Sequence, residues 1–337
     1  MNLAEFQKSR TPQIEQGLKA FFNAQDFGTS ETLKEMLAYH MGWRDEGGHG
    51  KRLRPLITLL CTEALGGQAQ DAMPAALAVE FLHNFTLIHD DIEDRSSLRH
   101  NRETLWMRWG EAQAINAGDA LFSIAQLALL DLAHTASPED AVKASQYFNQ
   151  TCLHLTRGQY LDLAFEKARD ITINAYLEMI GGKTGALIAF SAAVAAIVAQ
   201  KPSREQDLLG AFGSNLGLAF QVQDDFLGIW GDPEVTGKSA ASDLLTRKKT
   251  LPVLFGLQHS AKFQELWSEN EIKPNSLEQM SALLQSCGAK EYTSQKAQAY
   301  TEEAFKALET LFAASTAENS PVQALFELCA GLLGRDY

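Results

Sequence analysis

The chain has 337 residues, 45% of them hydrophobic and 21% charged, a balance that excludes a disordered or fibrous protein and leaves ample material for a core. Lys and Arg number 29 against 42 Asp and Glu, a formal net charge of −13, which excludes a general nucleic-acid binder and argues against electrostatic docking on an anionic bilayer. The four cysteines, Cys61, Cys152, Cys287 and Cys329, are scattered, so no Cys-x-x-Cys motif or disulfide framework is expected.

In chain order, the mixed polar start from Met1 to Lys8 has no apolar signal core, and a cytoplasmic protein is expected. Gly47-Gly48-His49-Gly50 leads into the cationic run Lys51-Arg52-Leu53-Arg54-Pro55, and Gly66-Gly67 closes the helix after it. Leu77, Phe81, Phe85, Ile88 and Ile92 recur at three and four, which predicts a helix running into Asp90-Asp91-Ile92-Glu93-Asp94. Arg95, Arg99 and Arg102 follow. Segments 115–134 and 147–167 have the same period, and Ser137-Pro138-Glu139-Asp140 between them reads as a helix N-cap. Gly181-Gly182 precedes Lys183-Thr184. The longest uncharged stretch, Thr184 to Gln200, is short for a membrane span and rich in small residues; it reads as a helix buried in protein, so no membrane span is expected. Lys201-Pro202-Ser203 separates it from a helix whose apolar part, Leu216 to Gly228, ends in Asp224-Asp225-Phe226-Leu227-Gly228. Gly231-Asp232-Pro233, Gly237-Lys238 and Arg247-Lys248-Lys249-Thr250 follow. No run alternates Val, Ile and Thr, so a sheet is not expected. The reading is an all-α chain forming one domain over 1–337, with a two-domain α protein as the alternative. Residues 260–337 carry no motif.

Asp90 and Asp94 lie one helical turn apart, with their carboxylates on one face. A solvated acidic face is the plain alternative. The approach through Phe85, Leu87 and Ile88 is apolar, however, and acids at a helix C-terminus oppose the macrodipole, so a compensating cation is expected. Hard oxygen donors without His or Cys point to Mg2+, which shares its shell with phosphates. Asp224 and Asp225 form a second acidic end. Basic residues beside glycine or beside the acids add what a diphosphate requires.

The series Gly50-Lys51-Arg52-Leu53-Arg54-Pro55, His83, Leu87-Ile88-His89-Asp90-Asp91-Ile92-Glu93-Asp94, Gly182-Lys183-Thr184-Gly185 and Phe220-Gln221-Val222-Gln223-Asp224-Asp225 resembles the trans-isoprenyl diphosphate synthases, the polyprenyl synthetase family. The match runs over about residues 40–255. The resemblance implies an antiparallel helical bundle around a central cavity, a homodimer, and head-to-tail joining of isopentenyl diphosphate to an allylic diphosphate. It places Mg2+ on Asp90 and Asp94, with Asp224 opposite and Asp91 and Asp225 beside them. Arg99, Lys183, Gln221, Lys238 and Lys248 would cradle the allylic diphosphate. Lys51, Arg54 and His83 would hold isopentenyl diphosphate. Thr184 and Gln221 would face the allylic cation as dipoles.

Two positions depart from the family pattern. Gly228 stands where a third Asp is usual, with Asp225 and Asp232 as substitutes. His100 stands where a second Arg is usual, which shifts isopentenyl diphosphate binding toward Arg102. These departures keep a second reading, a non-catalytic subunit that modulates an active partner. A terpene cyclase of related fold is a third, but the residues around Asp224 lack its metal triad. Phe85, five residues before Asp90, would floor the cavity, with small Thr86 beside it and Leu82 one turn deeper. The resemblance then implies a geranylgeranyl product, with farnesyl second.

Overall fold

The computed structural model describes residues 2–44, 50–232, 241–269, 272–313 and 320–333. Its first helices are α1 (Leu3–Asn23), α2 (Glu31–His40), α3 (Leu53–Ala64) and α4 (Ala69–Glu93). A short hairpin of β1 (Leu98–Arg99) and β2 (Arg102–Glu103) follows, then α5 (Leu105–Trp109), α6 (Glu111–Leu130), α7 (Leu132–Thr135) and α8 (Pro138–Lys167). Next, α9 (Ile173–Ile180), a π-helical turn (Gly181–Gly185) and α10 (Ala186–Val198) run on without a break. The remainder is α11 (Ser203–Trp230), α12 (Ser242–Leu245), α13 (Leu251–His259), α14 (Ala261–Trp267), α15 (Leu277–Ser286), α16 (Ala289–Phe312) and α17 (Pro321–Leu333). The chain is all-α, as its periodicity predicts.

Its contacts divide it into two compact units. The first comprises Met1–Asn149, Ser191–Gln206 and Ala317–Ala324; the second comprises Gln150–Phe190, Asp207–Thr316 and Leu325–Tyr337. The chain enters each unit more than once, so no single cut in the sequence separates them.

In the first unit α4 packs along α6 and α3. Its core side is Leu77, Phe81, Leu82, Ile88 and Ile92, all buried, in the register the sequence predicts. Pro74 lies inside α4. It is the sixth residue of the helix, so α4 continues through it with one backbone hydrogen bond fewer. Arg52 enters α3 in the left-handed region, at φ 48°. It is held by Glu15 and Glu80, both at 2.6 Å, and by the Met41 carbonyl at 3.2 Å. The Arg52–Glu80 pair is buried on both sides, so Glu80→Ala, which leaves the guanidinium short of a partner, is expected to cost about 3–5 kcal/mol. The double variant Arg52→Met, Glu80→Leu should lose less, and denaturant unfolding of both variants checks the order.

The second unit has two apolar clusters. One joins Tyr176, Met179 and Ile180 of α9 to Val222 of α11 and to Leu251 and Leu254 of α13. The other gathers Ile229, Leu244, Val253, Phe263, Met280 and Leu284. The N-cap expected at Ser137 is present: its Oγ accepts from the Asp140 N–H at 3.1 Å. Two stretches, Glu111–Thr135 and Ile173–Val198, are long and apolar enough to cross a membrane by length and composition; in the second, 67% of the apolar window is buried in the protein.

Candidate active site

In the first unit the acidic end of α4 divides its aspartates by helical position. Adjacent residues point about 100° apart on a helix. Asp90 is half-buried and Asp94 exposed, whereas Asp91 is 2% exposed. Asp91 accepts from Arg99 Nε at 2.9 and 3.0 Å, and Arg99 Nη2 stands 2.8 Å from the same carboxylate. Burial pushes the Asp91 carboxyl up, and Arg99 opposes that shift. Asp91, grouped by sequence with the metal-facing acids, is thus the anchor of Arg99.

Arg99 stands on a hairpin absent from the sequence reading. Arg99 pairs directly with Arg102 across β1 and β2, and the turn residues His100 and Asn101 have φ of 50° and 61°. Two positive φ values are what a type I′ turn requires, but neither residue is the glycine that signals one. Like charges placed opposite each other repel. Each arginine is therefore held apart: Arg99 by Asp91, and Arg102 by the Tyr39 carbonyl at 2.9 Å and over the Tyr39 ring at 5.0 Å. His100 is exposed.

These groups line a pocket with His40, His83, Asn84, Leu87 and Arg52. Arg54 Nη1 lies 3.2 Å from His83 Nε2. A guanidinium only donates, so Nε2 accepts and His83 is a neutral imidazole. Burial first, then Arg54 and Arg99, hold its pKa well below the ordinary range. Two residues paired by sequence for isopentenyl diphosphate are thus in contact. Lys51 is exposed at the entry to α3.

Further along α4, the half-buried Phe85 ring packs 4.7 Å from His89 and 5.2 Å from Phe122 of α6. The Thr86 hydroxyl donates to the His83 carbonyl, and Leu82 is fully buried. Phe122 escaped the sequence reading because its approach depends on how α6 crosses α4.

In the second unit the π turn carries Lys183 and Thr184. Single π turns are enriched at functional sites because they redirect side chains within a helix. Here α8 crosses at glycine: a Cβ on Gly158 would meet Lys183 N at 2.2 Å, and one on Gly182 would meet the His154 carbonyl at 2.7 Å. Lys183 is ion-paired with Asp162 of α8. The Thr184 hydroxyl donates to Gln221 Oε1 at 3.0 Å, and Gln221 Nε2 donates to Asp225 at 3.2 Å. Asp225 also accepts from the Tyr176 hydroxyl at 2.5 Å and the Leu251 N–H at 3.1 Å. Burial raises its pKa to about 7 against these donors. Asp225 therefore ties α9, α11 and α13 together, while Asp224 is half-buried beside it. The first aspartate of each pair is accessible and the second is structural.

A Cβ on Gly228 would lie 2.0 Å from Oδ2 and 2.5 Å from Cγ of Asp243. A buried carboxylate brought from α12 thus occupies the space that a third aspartate side chain would take. Asp232 and Lys248 are exposed, and Lys238 lies outside the described residues. Lys249 caps the end of α8, donating to the carbonyls of Phe165, Glu166 and Ala168 at 2.7–2.8 Å. No cluster of three or more His, Cys, Asp or Glu converges among the described residues. Asp90 and Asp94 in the first unit, and Asp224 in the second, are each accessible hard-oxygen donors, the chemistry that suits Mg2+ completed by phosphate and water.

The chain matches the family described as Polyprenyl synthetase over residues 30–286. It is 44% identical over 233 residues to the (2E,6E)-farnesyl diphosphate synthase of Mycobacterium tuberculosis (strain ATCC 25618 / H37Rv), a stretch covering 67% of this chain and 64%, just under two thirds, of that relative. It is 37% identical over 289 residues to a geranylgeranyl pyrophosphate synthase of Geoglobus acetivorans, covering 86% of this chain and 88% of the other. The fold matches the crystal structure of a polyprenyl synthetase from Streptomyces coelicolor A3(2) with a TM-score of 0.88 and 32% identity, covering 98% of this chain and 100% of that one. The matched residues 30–286 take in both acidic helix ends, the arginine hairpin and the π turn, and the chain belongs to the polyprenyl synthetase family.

Proposed function

We propose that this chain is a prenyltransferase that joins isopentenyl diphosphate head-to-tail to an allylic diphosphate. The observation that carries this reading is the layout of α4. His83, bonded to Arg54 in a pocket with Arg99 and Arg102, lies two helical turns, about 10 Å, before the accessible Asp90. One helix thus offers a basic diphosphate pocket and, beyond it, a carboxylate end for a metal-bound diphosphate. Relatives named for farnesyl and geranylgeranyl synthesis support the same reaction.

In this reading the pocket holds isopentenyl diphosphate through Arg54, His83, Lys51 and Arg102. Asp90 and Asp94 would hold Mg2+, which when bound would neutralise charge developing on the leaving diphosphate, and Asp224 would be the corresponding ligand on the second unit. Lys183, Arg99, Lys238 and Lys248 bind the allylic diphosphate. Gln221, its amide turned by Thr184 and Asp225, presents a dipole toward the allylic carbon without acting as a nucleophile. The allylic C–O bond breaks, the alkene of isopentenyl diphosphate attacks to form the new C–C bond, and the proton released passes to the departed diphosphate. The third carboxylate missing at Gly228 is matched by Asp243 in the same space, which removes the main support for an inactive regulatory subunit.

We further propose a geranylgeranyl product, with farnesyl second, a homodimer and a cytoplasmic location. Leu127 and Leu130 of α6, 48% and 51% exposed, offer an apolar face for a second copy. Incubation with Mg2+, isopentenyl diphosphate and allylic primers, followed by chromatography of the products, tests the reaction; no elongation of any primer overturns it. In the same assay Phe85→Ala should shift products longer, and adding Phe122→Ala should shift them further, since the two rings are in contact. The stability cost should fall below the ~3–5 kcal/mol of a fully buried phenylalanine. Unchanged product length in the double variant would place the floor elsewhere.

A further inference from the structure

Tyr176 of α9 belongs to none of the motifs read from the sequence and has no part in the scheme above. It is buried in an apolar cluster of the second unit, with its hydroxyl directed at Asp225 Oδ2, 2.5 Å away. A hydroxyl–carboxylate bond of that length is charge-assisted and strong. The Leu251 N–H donates to the same oxygen at 3.1 Å. Oδ2 is thus fixed from α9 and α13, and Oδ1 is left for Gln221 Nε2, one turn earlier on α11. A carboxylate only accepts, so the Gln221 amide turns its nitrogen to Asp225 and its oxygen to Thr184. The Thr184 hydroxyl points its hydrogen at that oxygen, and its lone pairs face away from Gln221. A carboxylate free to turn about its Cβ–Cγ bond would release Nε2. The amide could then flip and present N–H, the wrong end of the dipole for a cation.

We propose that Tyr176 is a positioning residue for the condensation: through Oδ2 of Asp225 it holds the Gln221 amide, and through that amide the Thr184 hydroxyl, in the orientation that presents oxygen to the allylic cation. This inference rests on the reading that Thr184 and Gln221 face that cation. Tyr176 acts through other side chains rather than on the reacting atoms.

The test is the single-turnover rate of bond formation at saturating substrates and Mg2+, which separates chemistry from product release, with KM values and melting temperatures measured alongside. Tyr176→Phe keeps the ring in its cluster and removes only the hydroxyl. It should slow the single-turnover rate about tenfold and leave both KM values within about twofold. In a Gln221→Leu background the same substitution should change the rate less than about twofold, because the group it orients is gone. Asp225→Asn probes the relay with Tyr176 intact. Tyr176 and Leu251 then take the new carbonyl, the new NH2 faces Gln221, and the amide must flip, so the rate should fall at least as far. A parental rate in Tyr176→Phe with only a lower melting temperature assigns the hydroxyl to stability and overturns the proposal. So does a parental rate in Asp225→Asn, or a loss that Tyr176→Phe repeats in full in the Gln221→Leu background. A parent chain that elongates no primer overturns the reaction and this role with it, whereas additive losses in an active parent overturn the role alone.

Discussion

Asp90→Ala lowers turnover by about 10²–10³-fold while the protein stays folded. The carboxylate stands half-buried in the last turn of α4, where negative charge opposes the helix dipole. Removing it relieves that repulsion and the repulsion from Asp94 one turn on, so the melting temperature should hold or rise slightly. Asp91→Ala should give the opposite signature. It strips the carboxylate from Arg99, frees the hairpin and lowers stability, with activity falling as a consequence. Thermal unfolding and kcat measured on both variants separate the roles of two neighbouring aspartates. Near-parental turnover in Asp90→Ala would remove the metal assignment.

Gly228→Asp, which restores the family's third aspartate, should damage the protein rather than improve its metal binding. The new Cβ alone would stand 2.0 Å from a carboxylate oxygen of Asp243, whose short, buried side chain has little room to swing away. Overpacking and a second buried carboxylate together are expected to cost about 2–4 kcal/mol. Asp243→Gly in the same chain makes room, so the double variant should regain stability and activity relative to Gly228→Asp. Guanidinium unfolding of the two single variants and the double variant closes the cycle. Full stability of Gly228→Asp would show that α12 yields freely and that glycine is not required there.

Much of this was legible in residue spacing. The period of Leu77 to Ile92 gave α4 its buried side, and Lys201-Pro202 marks the break before α11. The contact of Arg54 with His83 and that of Thr184 with Gln221 follow the motif residues. The division between Asp90 and Asp91 was also readable: Asp91 sits three residues after buried Ile88, on its face, and Asp225 sits three after buried Val222. The rest depended on tertiary approach. The His100-Asn101 turn lacks glycine, so the hairpin had no local signature. The π turn falls on Gly181-Gly182-Lys183-Thr184-Gly185, which has no large apolar side chain to register a change of period. Asp162, Asp243 and Phe122 reach their partners only through the way helices cross, which no local pattern encodes.

The ion pair of Asp91 with Arg99 makes the end of α4 and the arginine hairpin one inheritable piece. A lineage that lost Arg99 would strand a buried acid, and one that lost Asp91 would strand a cation opposite Arg102. Substitution at either site is therefore tolerated only when the other changes with it. The same dependence governs transplantation. An engineer who grafts only the segment Asp90–Asp94 onto another helix moves the accessible carboxylates without the clamp that orients the neighbouring guanidinium. The smallest portable fragment extends from Asp90 to Arg102.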